Sequence, residues 1–209
     1  MTSQALARWG TARRAALDRL ERVHAVVTGG LAGRPHDVTE LNHALFLRLA
    51  AEIQGFCRDI HDEACDVICA PRHVPNTDVR AALKARLVAG RKLDTGNAGP
   101  GNIGSDWGRF GMTLWPGLAA AYPGVRGATD WNARLEWLNT ARNGIAHNDP
   151  ARIAAAHGEH SLTMHTFRVT RRRLDRFTSA LDAVTEAYLM TTLSIASWTR
   201  GGADDDQAS

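Results

Sequence analysis

Three side chains late in the chain have the types and the spacing that cleavage of an RNA phosphodiester requires. Arg142, Asn143 and His147 lie within the stretch ARNGIAHNDP, residues 141–150. A histidine with a pKa near neutrality can take the proton from a 2′-hydroxyl group or give one to the leaving oxygen. An arginine can hold phosphate oxygens and the charge that develops on them, while an asparagine can orient the phosphate or the imidazole. This chemistry needs no metal ion.

The spacing of these residues fits one end of a helix. Asn143 and His147 are four residues apart and therefore share a helical face, and the long side chain of Arg142 can reach the same cleft. Gly144 allows another backbone or a ligand to approach closely. A structural interpretation stays open, in which Arg142 pairs with a helix end and His147 caps the last carbonyl groups.

The flanking residues predict the helix that carries this motif. Thr129 or Asp130 is expected to cap its start, and Pro150 should end it, because the residue before a proline is biased away from the helical region. The buried edge of this helix is expected to contain Trp131, Leu135, Leu138 and Ile145. The motif would thus stand at the carboxyl end of a late helix.

The remainder of the chain also reads as helical. Apolar residues recur every three or four positions, and no alternating strand pattern is present. The other predicted helices span residues 4–28, 39–69, 77–90, 105–120 and 165–197. The long second helix can form the spine of a bundle. We therefore expect an all-α fold, a single helical domain over residues 1–199 with about five main helices.

Two glycine-containing segments are expected to lie outside this bundle. GRKLDTGNAGPGNIG, residues 90–104, contains five glycines and one proline and is predicted to be an exposed loop. It lacks the Gly-Lys-Ser/Thr ending of a nucleotide P-loop, which argues against ATP binding. Residues 200–209 contain three consecutive aspartates after two glycines, and they are predicted to form a disordered acidic tail.

The composition is that of a globular protein that works inside the cell. Of its 209 residues, 44% are apolar and 22% are charged, and the net charge is +3, which permits nucleic-acid binding without requiring it. Three cysteines, an odd number, favour a reducing compartment. No apolar run reaches the roughly 20 residues of a membrane span. We expect a cytoplasmic protein with no membrane association.

The stretch NTARNGIAHND, residues 139–149, resembles the motif of the HEPN superfamily. That motif has an arginine followed by a polar residue, then three positions and a histidine, near the end of a late helix in an all-α domain. A second segment, LNHALFLRLAAEIQGFCRDI at residues 41–60, resembles the long early helix of the RiboL-PSP-like branch. The resemblance covers roughly residues 10 to 195.

The resemblance implies a fold, an activity and partners. HEPN domains are helical bundles that usually dimerise, and many are metal-independent endoribonucleases that act as toxins or antiviral-defence effectors. Their products carry 2′,3′-cyclic phosphate and 5′-hydroxyl ends. The arginine and histidine of two protomers typically meet in one composite site. By position in the motif, the catalytic residues here would be Arg142, Asn143 and His147.

One position departs from the pattern of that branch. The branch often carries an acidic residue shortly before the aromatic residue of the early helix. In this chain Gln54 takes that place, two residues before Phe56, and the nearest acid is Glu52. We do not expect Glu52 to face the site, so the departure bears on activity more than on the fold.

A basic run at the start of the last helix is the predicted RNA-binding surface. It consists of Arg168, Arg171, Arg172, Arg173 and Arg176. These side chains could form a track for phosphate groups that leads to the site. The alternative is an ordinary solvated helix face.

Two groups of potential metal ligands lack the arrangement that a metal site requires. Cys57, His61, Cys65 and Cys69 step by four along one helix, and four ligands on a straight helix cannot surround one ion, so buried packing is expected. The second group is HGEH, residues 157–160, where Gly158 indicates a loop. We predict no metal site and no cofactor.

The resemblance thus implies a HEPN-type ribonuclease with RNA as its substrate, a homodimer with the site at the interface, and a possible antitoxin partner. The alternative function is a non-catalytic HEPN module that binds RNA or a protein partner.

Overall fold

The computed structural model describes residues 2–29, 38–124 and 126–195, together with Trp198, and every regular element in these ranges is helical. The all-α prediction is therefore confirmed for this part of the chain. The predicted acidic tail, residues 200–209, lies outside the described residues.

Ten α-helices follow one another in the described ranges, with a π-helical turn at Trp9–Arg13 and a 3₁₀ turn at Gly108–Phe110. They are α1 (Gln4–Arg8), α2 (Arg14–Val27), α3 (Thr39–Ile68), α4 (Thr77–Val88), α5 (Lys92–Thr95), α6 (Pro100–Trp107), α7 (Leu114–Ala121), α8 (Ala128–Ala146), α9 (Pro150–Glu159) and α10 (Met164–Thr191). The helices predicted over residues 39–69 and 77–90 are present as α3 and α4, and the helix predicted over residues 165–197 is present as α10 but ends at Thr191. The helix predicted over residues 105–120 is interrupted after Phe110, where Gly111 has a φ of 83°, and α7 begins only at Leu114. Residues 4–28 form α1, the π-helical turn and α2, while α5, α6 and α9 are helical where loops or short segments were expected.

Helix α3 is the centre of the bundle, as its length and apolar stripe predicted. It packs against α1, α2, α4, α8 and α10. Its buried stripe consists of Leu45, Leu49, Ile53, Phe56, Ile60 and Val67, which recur mostly at spacings of three and four. Helix α10 faces it with an equally regular set, Phe167, Leu174, Phe177 and Leu181. Helix α8 packs against both of these helices and against α9.

The amino-terminal segment is fixed to α3 by one aromatic contact and one arginine. The ring centroids of Trp9 and Phe56 are 5.7 Å apart in an edge-on arrangement. The Arg13 guanidinium bonds Glu52 at 2.7 Å and Asp59 at 2.8 Å. It can do so because Gly55 has no side chain, since a Cβ there would lie 2.5 Å from Arg13 Nη1. The Glu52 carboxylate therefore bonds the amino-terminal segment that packs on α3.

The prediction of an exposed loop over residues 90–104 is wrong. This segment contains α5 and the start of α6, and Leu93, Ala98 and Ile103 are buried in the core. The carboxylate of Asp106, itself fully buried, accepts hydrogen bonds from the backbone N–H groups of Lys92 and Leu93 at 2.8 Å. Asp106 follows Lys92 by 14 residues and Leu93 by 13 residues, so the turn residues near α5 could not reveal these bonds.

Candidate functional site

The motif of interest stands at the carboxyl end of α8, where the backbone turns sharply. Helix α8 ends at Ala146, and Asn148 takes a left-handed conformation with φ of 48°. The N–H of Asn148 donates to the carbonyl of Ile145, and the N–H of Asp149 donates to the carbonyl of Gly144 at 2.8 Å. This pair of bonds is a Schellman motif, which satisfies the last carbonyl groups of the helix. The predicted helix end is confirmed.

Helix α9 starts immediately afterwards and packs back on α8. The Asp149 carboxylate caps α9 by accepting from the N–H groups of Ala151 and Arg152, both at 3.1 Å. A Cβ at Gly144 would lie 2.9 Å from the backbone nitrogen of Ile153. Gly144 is therefore needed for the close approach of the α9 backbone, which is one of the two roles expected for it.

The predicted cap of α8 by Thr129 or Asp130 is wrong. The residue that precedes the helix is Gly127, and no side chain caps it. The Asp130 carboxylate is instead engaged by the guanidinium of Arg173 on α10. The partner of Asp130 lies on α10, which is distant in sequence. The residues around the helix start therefore could not show that this carboxylate forms an ion pair rather than a cap.

Two of the three motif side chains are joined directly. Arg142 Nη1 donates to Asn143 Oδ1 at 2.9 Å, and Asn97 Nδ2 donates to the same oxygen at 2.7 Å. Arg142 and Asn143 are both half-buried. Only one guanidinium nitrogen is used by this bond, so the remaining N–H groups of Arg142 are available to a ligand.

The third motif residue, His147, presents an exposed side chain at the same helix end. Its backbone N–H bonds the carbonyl of Asn143 at 3.1 Å, as the geometry of the helix requires. Within the described residues its imidazole makes no hydrogen bond or ion pair with Arg142, Asn143 or any other group. The ring therefore does not cap the last carbonyl groups, which the Schellman bonds already satisfy.

Asn97 comes from the segment that was predicted to be an exposed loop. That segment is held by Gln54 on α3, whose Nε2 donates to the carbonyl groups of Leu93 at 2.9 Å and Gly96 at 2.8 Å. Asn102 Nδ2 also bonds the carbonyl of Asn97 at 2.8 Å. Gln54 thus positions the segment that supports Asn143.

Glu52 is turned away from this arrangement, as expected. It forms ion pairs with Arg13 at 2.7 Å and Arg48 at 2.5 Å. Residue 54 is a glutamine and the Glu52 carboxylate is paired with arginines. Neither position therefore brings a carboxylate to the surroundings of Asn143.

Sequence reasoning missed a further amide, that of Asn139. This residue precedes Asn143 by one helical turn, and its Nδ2 is buried without a hydrogen-bond partner among the described residues. A Cβ at Gly99 would lie 3.4 Å from that nitrogen, so the glycine leaves room for the amide. The four-residue spacing of Asn139 and Asn143 was the available signal.

The basic run on α10 divides into bonded and free arginines. Arg171 bonds Asp18 at 2.6 Å and Glu21 at 2.7 Å, Arg168 bonds Glu21 at 2.8 Å, and Arg173 pairs with Asp130. These three guanidinium groups hold α2 and α8 against α10. The other two, Arg172 and Arg176, are exposed.

The cysteines and His61 are buried in the core. The desolvation of His61, reinforced by the nearby charge of Arg91, lowers its pKa to about 4, and burial raises the pKa of Cys65 to about 12. Cys57 and Cys69 are also buried as thiols. In the part of the chain that is described, no three His, Cys, Asp or Glu side chains are grouped so that they could hold a metal ion.

The HGEH segment belongs to a helix, so the predicted loop at Gly158 is wrong. Helix α9 continues to Glu159, and His160 packs edge-on against Trp137 with ring centroids 5.3 Å apart. Burial of His160, together with the charge of Arg134, lowers the pKa of this histidine.

Comparison with known proteins adds no assignment, since no family model, curated protein or solved structure matches the chain. Among the described residues, no helix combines the length and the apolar character needed to cross a membrane.

Proposed function

We propose that the chain is a metal-independent endoribonuclease of HEPN type, with Arg142, Asn143 and His147 as its catalytic residues. One observation carries this proposal: a bonded Arg142–Asn143 pair and an exposed, partner-free His147 stand at the same end of α8. The fold has no need of the imidazole, because backbone bonds close the helix without it. A histidine in this position is free to exchange protons with a substrate.

The roles follow from the chemistry of each group. His147 takes the proton of the 2′-hydroxyl group as that oxygen attacks phosphorus, or gives a proton to the departing 5′-oxygen. The free N–H groups of Arg142 stabilise the charge on the phosphorane. Asn143 holds the Arg142 guanidinium through the 2.9 Å bond, and Asn97 holds Asn143. The products are a 2′,3′-cyclic phosphate and a 5′-hydroxyl end.

The proposed active form is a homodimer in which two copies of this helix end face each other. One imidazole cannot serve as base and acid in the same step, and a second protomer would supply the other. The exposed Arg172 and Arg176 are the members of the basic run that remain available to contact RNA phosphates. The resemblance to HEPN proteins also motivates a cytoplasmic role in defence or as a toxin, with an antitoxin as a possible partner.

Incubation of the purified protein with total RNA in EDTA tests the proposal. We expect cleavage to continue in the chelator and the 3′ ends to carry cyclic phosphate. Arg142→Ala should lower the rate by about 10²- to 10³-fold, because it removes the group that stabilises the transition state. Arg152→Ala is the matched control, since it removes an exposed cation from neighbouring α9. Equal cleavage by wild type and Arg142→Ala would reject the assignment.

A non-catalytic RNA-binding or protein-binding module is the second candidate. The observation that favours it is the amide of Gln54 bonded to backbone carbonyl groups at 2.9 and 2.8 Å, at a position where the branch that the chain resembles often has an acidic residue. This candidate predicts a gel shift of RNA by the wild-type protein without cleavage. A shift that Arg172→Ala and Arg176→Ala weaken would identify RNA as the ligand.

A further inference from the structure

A cavity of about 610 Å³ opens between the α7–α8 connection and the middle of α10, away from the motif described above. Its volume lies within the range of about 300 to 1,000 Å³ that is typical of small-molecule sites. Trp131, on the first turn of α8, lies about 18 Å along the helix axis from Asn143. The cavity is therefore separate from the candidate catalytic residues, and nothing about it depends on the proposed function.

One wall of the cavity is aromatic. The rings of Tyr122 and Trp131 meet edge-on with centroids 5.7 Å apart. Trp131 is anchored in the core against Phe177 at 6.0 Å, whereas Tyr122 is 37% exposed. Because Trp131 is only 3% exposed, a flat ligand would pack on the exposed ring of Tyr122, since aromatic rings favour stacked and edge-on neighbours.

The turn that carries Tyr122 is held in shape by two glycines. Gly124 has a φ of 112°, and its carbonyl accepts a hydrogen bond from the N–H of Gly127 at 3.1 Å. A Cβ at Gly127 would lie 2.0 Å from the carbonyl oxygen of Tyr122, so no other residue fits there. The aromatic wall is thus formed before any ligand arrives, which reduces the entropy cost of binding.

Two arginines line the cavity from opposite segments. Arg126 belongs to the α7–α8 connection and Arg176 to α10, and both are exposed. Neither forms a hydrogen bond or ion pair within the described residues, unlike Arg168, Arg171 and Arg173 on the same helix.

The one carboxylate of the cavity lining is neutralised from outside. Asp175 accepts a hydrogen bond from Trp9 Nε1 at 3.0 Å and lies 3.8 Å from Arg14. The cavity therefore combines an apolar, aromatic wall with an excess of positive charge. Guanidinium groups bind phosphate and carboxylate through paired hydrogen bonds.

We propose that this cavity binds a small aromatic anion, a planar ring that carries a phosphate or a carboxylate group. The ring packs on Tyr122, which Trp131 supports from the core, and the anionic group is held by Arg126 and Arg176. A nucleoside monophosphate and an aromatic carboxylate share this chemistry.

Calorimetric titration distinguishes the two ligand sources. The probes are adenosine 5′-monophosphate and indole-3-acetate, with adenosine and indole as neutral counterparts and inorganic phosphate and acetate as ringless anions. We expect at least one aromatic anion to bind with a stoichiometry of one. Its neutral counterpart should bind about tenfold more weakly because it lacks the charge-assisted contact with the arginines. The ringless anion should bind about tenfold more weakly because it lacks the contact with the aromatic wall.

Matched arginine variants test the site itself. Arg176→Ala and Arg126→Ala should each weaken binding about tenfold. Arg22→Ala removes an exposed arginine of α2 that does not line the cavity, and it should leave the affinity unchanged. Thermal melts verify that each variant is folded. Absence of binding by both aromatic anions, or equal weakening by Arg22→Ala and Arg176→Ala, overturns the proposal.

Discussion

Two arginine–histidine neighbourhoods occupy this bundle, and they differ in almost every physical respect. Arg91 and His61 lie between α3 and the start of α5, with Arg91 Nη1 3.4 Å from His61 Nδ1 and both side chains buried. Arg142 and His147 lie at the end of α8, where the histidine is exposed and the arginine is half-buried. The same functional groups serve the fold in one place and are free for chemistry in the other.

Every polar atom of the buried neighbourhood is engaged. Arg91 bonds Asp62 at 2.6 Å and Asp94 at 2.8 Å. A guanidinium can only donate, so His61 Nδ1 accepts, and Nε2 carries the proton that it donates to the carbonyl of Asp106 at 3.2 Å. The imidazole is therefore neutral and stacks on Phe110, with centroids 4.5 Å apart.

A structural histidine and a candidate catalytic histidine therefore differ in whether the imidazole has hydrogen-bonding partners, not in residue type. His147 has no side-chain partner among the described residues, and the helix end is closed by backbone bonds instead. The following predictions test that contrast.

The largest effect is expected from the pH dependence of the buried neighbourhood. The pKa of His61 is lowered from 6.5 to about 4 in the folded chain, so between these pH values the unfolded state binds the proton and the folded state does not. Stability should fall as pH decreases through this window, by on the order of 3 kcal/mol. Urea unfolding of wild type and His61→Gln at several pH values measures the difference. Identical pH slopes would contradict the assignment of the effect to His61.

A smaller difference is expected between alanine variants of the two arginines. Arg91→Ala removes bonds to two carboxylates and to the imidazole, and it should cost about 2 kcal/mol of unfolding free energy. Arg142→Ala removes one bond to Asn143 and should cost about 0.5 kcal/mol or less. Chemical denaturation gives both values. Equal losses would mean that Arg142 is as structural as Arg91.

The smallest effect concerns the turn that presents His147. Asn148 has a φ of 48°, and alanine tolerates this left-handed region less well than asparagine does. Asn148→Ala should therefore lower the free energy of unfolding by about 1 kcal/mol. Asn148→Gly should keep or slightly raise the melting temperature, because glycine adopts this conformation freely. A greater loss in the glycine variant would show that the asparagine side chain holds the turn.

Local periodicity predicted the parts of the fold that depend on neighbours along a helix. The buried stripe of α3 and the end of α8 before Pro150 followed from spacing and from proline chemistry. Local signals failed where the partner is distant in sequence. The glycines of residues 90–104 suggested exposure, yet Asp106 and Gln54 fold that segment into the core.

The candidate site was partly predictable for the same reason. The motif itself stands out in the sequence, whereas Asn97 reaches Asn143 across 46 residues and could not be inferred from spacing. The basic run was visible in the sequence as a group. Its members differ only once the chain is folded, since Arg171 then bonds Asp18 and Glu21 while Arg176 is exposed.

The most direct test measures RNA cleavage in EDTA and the melting temperature of His147→Ala side by side, with His157→Ala as a control for loss of an exposed histidine. We expect an unchanged melting temperature and a rate that falls by about 10²- to 10⁴-fold for His147→Ala only. Cleavage by His147→Ala at the wild-type rate would contradict it.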